Sequence, residues 1–120
     1  MPSKNNQSFQ QKSLRSPCPI AGALDVIGDR WTLLVVRDIM LLDKRRFNEF
    51  AGSWEKIPTN ILSDRLKRLE AYGIIEKVPY QDNPVRHEYK LTQAGEDLKP
   101  AIQELMQWGL KHIPGTGTAK

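Results

Sequence analysis

A helical period runs through "IPTNILSDRLKRLEAYGII", residues 57–75, where Leu62, Leu66 and Leu69 share one face and Asn60, Ser63, Asp64 and Lys67 occupy the other. The pattern predicts an amphipathic helix over about 58–72, opened by Pro58 or Thr59 and ended by Gly73. Upstream, "CPIAGALDVIGDRW" places Ile20, Ala23, Leu24 and Ile27 at helical spacing behind Pro19, a residue suited to a first turn, and Gly28 stops the run. Asp29 can cap the following "RWTLLVVRDIM", in which Trp31, Leu34, Val35 and Ile39 dominate one side. Its β-branched residues would also suit a strand, but the spacing predicts a buried helix. "RRFNEFAG" sets Phe47 and Phe50 three apart and ends at Gly52, a brief helix.

After Ile74 the period becomes two. Glu76, Val78 and Tyr80 alternate with their neighbours; beyond "QDNPVR", so do His87, Tyr89 and Leu91 against Arg86, Glu88 and Lys90. This predicts a two-stranded hairpin, in which Pro79 is tolerated because each strand has a free edge. Thr92 then caps a last helix carrying Leu98, Ala101, Ile102, Leu105, Met106 and Gly109 on one stripe, with Pro100 expected to kink or interrupt it. The predicted fold is mainly α with a small β-hairpin wing. Three short helices, the third amphipathic, followed by a hairpin are the plan of a winged helix-turn-helix domain, whose second paired helix enters a major groove.

Composition narrows the function classes. With 120 residues, 39% hydrophobic and 27% charged, the chain suits one ordinary domain, and no apolar run approaches the ~20 residues that span a bilayer. The net charge of +4 and pI near 9.3 favour a polyanionic partner. Residues 1–16 hold three basic and no acidic residues without an apolar core, which reads as a flexible basic arm and not a signal peptide. Cys18 is the single cysteine, so no intrachain disulfide can form, and a reducing, cytoplasmic location is expected. Two histidines and one cysteine do not make a common zinc site, "GTGT" stands in a terminal tail and not between strand and helix, and no nucleophile has a base at readable spacing. Neither an enzyme nor a cofactor is expected.

In order and spacing, "CPIAGALDVIGDRWTLLVVRDI", "RRFNEF", "LSDRLKRLEAYGIIEK" and "PVRHEYKLTQAG" resemble the successive motifs of the HxlR family of bacterial transcriptional regulators, over about Cys18 to Gly109. The resemblance implies a homodimer on a palindromic operator in double-stranded DNA. It implies a domain over 17–113, with dimerisation through about 18–28 and 94–113, DNA binding through about 45–91, a recognition helix near 58–72 and a wing at 76–91; residues 114–120 would be a flexible tail. Repression is the commoner mode in such a family, and a small-molecule effector is compatible with it. Two departures stand out: the glycine often found before the basic pair is replaced in "DKRR", and the wing's frequent Pro-Pro-Arg is here Pro84-Val85-Arg86.

Candidate contacts follow. The Asn60 amide can pair bidentately with adenine and the Ser63 hydroxyl can donate or accept at a base edge; the alternative is an ordinary solvated helix face. Thr59 is expected to cap the helix first and to serve a phosphate second. Asp64 either accepts from cytosine or pairs with Lys67 or Arg68, the latter being favoured. Lys67 is expected on phosphate, while Arg65 and Arg68 serve equally well as surface charges. Arg45 and Arg46 precede the helix that crosses the backbone, where they are phosphate contacts or a solvated cluster. Arg86 resembles the family's wing arginine, which would enter the minor groove, and His87 is expected to pack in the hairpin. Cys18, at a helix N-terminus and near Arg15, is either a sensing thiol, as some family members carry at this place for quinones, aldehydes or oxidants, or a small apolar residue at the dimer interface. Trp31, Trp54 and Trp108 read as core or interface anchors, with a shared small-molecule pocket as the lesser alternative. The rival from another class is a dimeric winged-helix protein-interaction module without specific DNA binding.

Overall fold

A computed structural model describes residues 15–117; residues 1–14, most of the expected basic arm, and 118–120, the end of the expected tail, lie outside the described part. Six helices and one hairpin follow in order: α1 (Pro19–Ile27), α2 (Thr32–Leu42), α3 (Phe47–Ala51), α4 (Thr59–Ala71), β1 (Ile75–Asp82), β2 (Val85–Leu91), α5 (Gln93–Glu96) and α6 (Lys99–His112).

Asp29 stands before α2 but does not cap it as expected: the N-cap is Trp31, and no side chain bonds the first turn as a cap. Its carboxylate accepts from the Trp31 amide at 3.1 Å and from the Thr32 hydroxyl, which holds it against the start of α2. The β-branched run is helical, and Val35, Val36 and Ile39 are buried. Val36, fully buried, was not on the expected apolar side, whereas Trp31 and Leu34 are only half-buried. At α4 the leucine stripe closes the core: Leu62, Leu66 and Leu69 are each at most 2% exposed and join Phe50, Ile57, Ile74, Ile75 and Ile102. Gly73 ends α4 with φ 76°, a conformation that costs glycine nothing, while Ile74 N–H returns to Leu69 O at 2.9 Å. At α3 only Phe50 is buried; Phe47 remains exposed.

The strands pair antiparallel with Ile75 opposite Leu91, Lys77 opposite Tyr89 and Pro79 opposite His87, and the register shifts between Pro79 and Gln81, leaving Tyr80 at a bulge. The two outer edges are not equivalent. Tyr89 N–H donates to Arg45 O at 2.7 Å, so β2 is tied to the turn before α3, and Pro79 lies on the other strand. His87 does not pack in the hairpin as expected; it is exposed.

The predicted last helix is two. Thr92 caps α5, accepting from Gly95 N–H at 3.3 Å and donating to Gly73 O and Ile74 O. A Cβ on Gly95 would stand 2.4 Å from Ile74 O, so no larger residue fits there without moving the backbone. Pro100 neither kinks nor breaks a continuous helix; it sits in the first turn of α6, where its missing N–H removes no bond. Of the predicted stripe only Ile102 is buried. Large apolar side chains are left uncovered on two helices, Ile20 (70% exposed) and Leu24 on α1 and Leu105, Trp108 (59%) and Leu110 on α6, and also at Leu41, Phe47, Trp54, Tyr80, Val85 and Ile113.

Candidate nucleic-acid interface

Because Leu62, Leu66 and Leu69 face inward, helical geometry sends Thr59, Asn60, Asp64 and Lys67 to solvent, with Ser63 half-buried beside them. Thr59 is not the cap that was expected. Pro58 occupies that position, without a side-chain bond to the first turn, and Thr59 is the first helical residue. The α4 N-terminus therefore presents the Thr59 hydroxyl and the first-turn amides, a suitable seat for an anion. Asp64 pairs neither with Lys67 nor with Arg68: Arg65 Nη1 reaches Asp64 Oδ2 at 2.5 Å. Arg65 is not a loose flank charge either, since its Nε donates to Asp29 Oδ2 at 2.8 Å and its side chain is 19% exposed. Burial opposes the charged form of Asp29, but the bonds from Thr32, Arg65 and the Trp31 amide outweigh it and lower its pKa from 3.8 to about 2. The same bond raises the Arg65 guanidinium.

The turn before α3 carries the basic pair. Asp43 adopts φ 56° at the end of α2, so the aspartate in place of the family's glycine keeps the left-handed turn, and it accepts from Arg45 Nη2 at 2.8 Å. Glu49 accepts from the Arg45 and Arg46 amides at 2.7 and 3.0 Å, and these bonds lower its carboxyl pKa. Arg46 is not part of a solvated cluster: its guanidinium lies 3.9 Å over the Tyr80 ring and reaches Glu88 Oε2 at 3.2 Å, which clamps the wing to the start of α3. About half of each arginine side chain stays exposed. On the wing, Arg86 stands opposite Gln81 and is exposed.

Beneath this turn lies a charged cluster that was not anticipated. Asp38, 2% exposed, accepts from Arg37 Nη2 at 2.7 Å and Nε at 3.0 Å and from the Ser53 hydroxyl; Lys44 Nζ donates to Ser53 Oγ at 2.8 Å and lies 3.8 Å from Asp38. Arg37 also grips Glu55 with two bonds of 2.8 and 2.9 Å, which lowers the Glu55 carboxyl and raises the guanidinium. The cluster binds α2 to the turn before α3 and to the loop before α4. The one legible sign was the adjacent charged pair Arg37-Asp38 inside a largely apolar helical run.

Cys18 is exposed at the N-cap of α1. Arg15 pairs with Asp25 at 2.7 Å and donates to Ala21 O. The three tryptophans do not share a pocket: Trp54, 76% exposed, borders a hollow of about 440 Å³ with Leu41 and Lys44, while Trp31 and Trp108 line others.

A short helix, a second helix with a sealed apolar side and an open polar one, and a hairpin clamped beside them define a winged helix-turn-helix protein. The chain belongs to the HxlR-like helix-turn-helix family, whose model matches residues 26–116. It is 45% identical over 95 residues to an uncharacterized HTH-type transcriptional regulator of Mycobacterium bovis, covering 79% of this chain and 59% of the relative, and 38% identical over 96 residues to the uncharacterized HTH-type transcriptional regulator YdeP of Bacillus subtilis, covering 79% and 73%. The chain thus spans about three fifths of the mycobacterial relative's length. Among solved structures it is similar to the redox regulator HypR in its oxidized form, with TM-score 0.71, 34% identity and coverage of 79% and 97%. It is likewise similar to the reduced form of the transcriptional regulator YodB from B. subtilis, with TM-score 0.66, 30% identity and coverage of 85% and 100%. The relatives and the fold are those of transcriptional regulators. Among the described residues no helix is long and apolar enough to cross a membrane.

Proposed function

We propose that the protein is a cytoplasmic, homodimeric repressor of a palindromic operator, with α4 in the major groove and the wing at the adjacent minor groove. One observation carries the reading: α4 spends its whole apolar stripe on its own core and leaves Thr59, Asn60, Asp64 and Lys67 exposed. Asn60 and Ser63 read base edges, Thr59 and Lys67 hold phosphates, Asp64 screens against wrong bases, and Arg86 enters the minor groove. Arg45 and the exposed edge of Arg46 add phosphate contacts. The uncovered apolar side chains of α1 and α6 support self-association through those helices, which sets two recognition helices about 34 Å apart, one turn of duplex.

The interaction-module reading has less support, because no large apolar side chain is exposed on the open face of α4. Cys18, exposed at the start of α1, is the candidate sensor of electrophiles or oxidants, in keeping with the similarity to a protein described as a redox regulator. The test is a pair of variants on the selected operator: Arg86→Ala should weaken binding to all sequences and reduce the salt slope by about one, whereas Asn60→Ala should relax sequence preference. Equal losses on every sequence for Asn60→Ala would remove its base contact.

A further inference from the structure

Three apolar side chains hold α4 to the core, and apolar packing is non-directional: it fixes which face is buried better than it fixes rotation or axial position. One directional bond joins the buried side of α4 to the segment between α1 and α2. Arg65 Nε donates to Asp29 Oδ2 at 2.8 Å, the same oxygen that receives the Trp31 amide, while the other Asp29 oxygen receives the Thr32 hydroxyl. Asp29 is therefore held against the start of α2 before Arg65 reaches it. It also lies two residues beyond the end of α1, a helix with no buried residue of its own and an uncovered apolar face.

We propose that Asp29 and Arg65 form the strut through which the α1–α2 turn sets the pitch and register of the recognition helix, so that Arg65 positions that helix for operator reading without touching DNA. The proposal rests on the DNA-binding reading above. In a dimer assembled through α1, the strut carries the placement dictated by the partner subunit to the helix that reads bases, and a shift of α1 changes the spacing of the two recognition helices.

The experiment is a double-mutant cycle on the palindrome selected by the wild type, read by fluorescence anisotropy at several salt concentrations, with dimer content checked by sedimentation. Asp29→Asn keeps an acceptor at the start of α2 but removes the charge that holds Arg65, so the fold survives. Arg65→Ala and Asp29→Asn should each lose about tenfold or more in operator affinity, the double variant should lose no more than the worse single, and Arg65→Lys should recover part of the loss. Salt slopes should stay at the wild-type value, and the preference for one half-site spacing should broaden. A neutral Asp29→Asn beside an Arg65→Ala that loses affinity and about one unit of salt slope would make Arg65 a phosphate contact and overturn the proposal. Unchanged affinity in both variants would overturn it too, leaving the DNA reading intact. A wild type that selects no operator would bring down both.

Discussion

Asp38→Ala should be strongly destabilising, and its cost can be worked from the cluster. Asp38 is 2% exposed and accepts from two Arg37 nitrogens and the Ser53 hydroxyl, with Lys44 Nζ 3.8 Å away. Removing one partner of a buried pair costs about 3–5 kcal/mol, because the other charge is left uncompensated. Here Arg37 keeps its two bonds to Glu55, Lys44 keeps Ser53 Oγ at 2.8 Å, and both cations retain about a fifth of their side-chain surface in water. The lower end applies, roughly 3 kcal/mol. For a chain of this length the unfolding entropy is about 0.25 kcal/mol/K, so the melting temperature should fall by roughly 12 °C. Asp38→Asn, which can still accept from Ser53, should fall less. The assay is urea and thermal denaturation at one fixed protein concentration, since dimer dissociation makes apparent stability concentration-dependent. A loss below about 1 kcal/mol with an unchanged denaturant slope would refute the account of the cluster as a buried, mutually dependent set.

Lys56 sits at φ 56°, where a non-glycine residue costs about 1–2 kcal/mol. Lys56→Gly should stabilise by roughly 0.5–1 kcal/mol after glycine's own entropy cost, read as a rise in melting temperature; a fall would mean that the lysine side chain contributes more than its backbone strain removes. The Asp29 carboxyl is depressed to about 2 in the folded state, so its contribution is complete above its unfolded value near 4 and is lost as pH falls through 2. The stability difference between wild type and Asp29→Asn should be about 1–2 kcal/mol near neutral pH, discounted for the partial exposure of the group, and should shrink steadily from about pH 4 to 2. A gap that stays constant to pH 2 would contradict the depressed carboxyl. Cys18→Ser should bind operator as the wild type does and stop responding to quinone or aldehyde; a variant that still responds removes Cys18 as the sensor.

Most of the fold was legible because it rests on periodicity. The leucines of α4 are buried as their spacing required, and the alternation after Ile74 is a hairpin. What escaped was decided between elements. Pro100 is compatible with a kink or with a first helical turn, and the break at Asp97 and Leu98 between α5 and α6 leaves it in the first turn of α6. Thr59 and Pro58 compete for one position; proline takes the cap because its extended backbone precedes a helix well, although it offers no side-chain acceptor. Local spacing paired Asp64 with Lys67 or Arg68, but Arg65, already drawn toward Asp29, lies nearer. The Arg46–Tyr80–Glu88 clamp joins residues more than thirty positions apart, a distance over which charge patterning carries no information. The open polar face of α4 was read directly from the helical repeat, since burying one side of a helix determines which residues face out.

In the proposed function this face, paired by symmetry with its copy, recognises a particular DNA sequence. The most direct measurement is selection of the purified protein on random duplexes over several rounds, followed by affinity at two salt concentrations against a scrambled control. A palindrome should emerge with half-sites about one helical turn apart, bound about a thousandfold or more above the control. No enrichment, with only weak and salt-sensitive binding, would contradict it and leave the face of α4 as solvated surface on a protein that works through other partners.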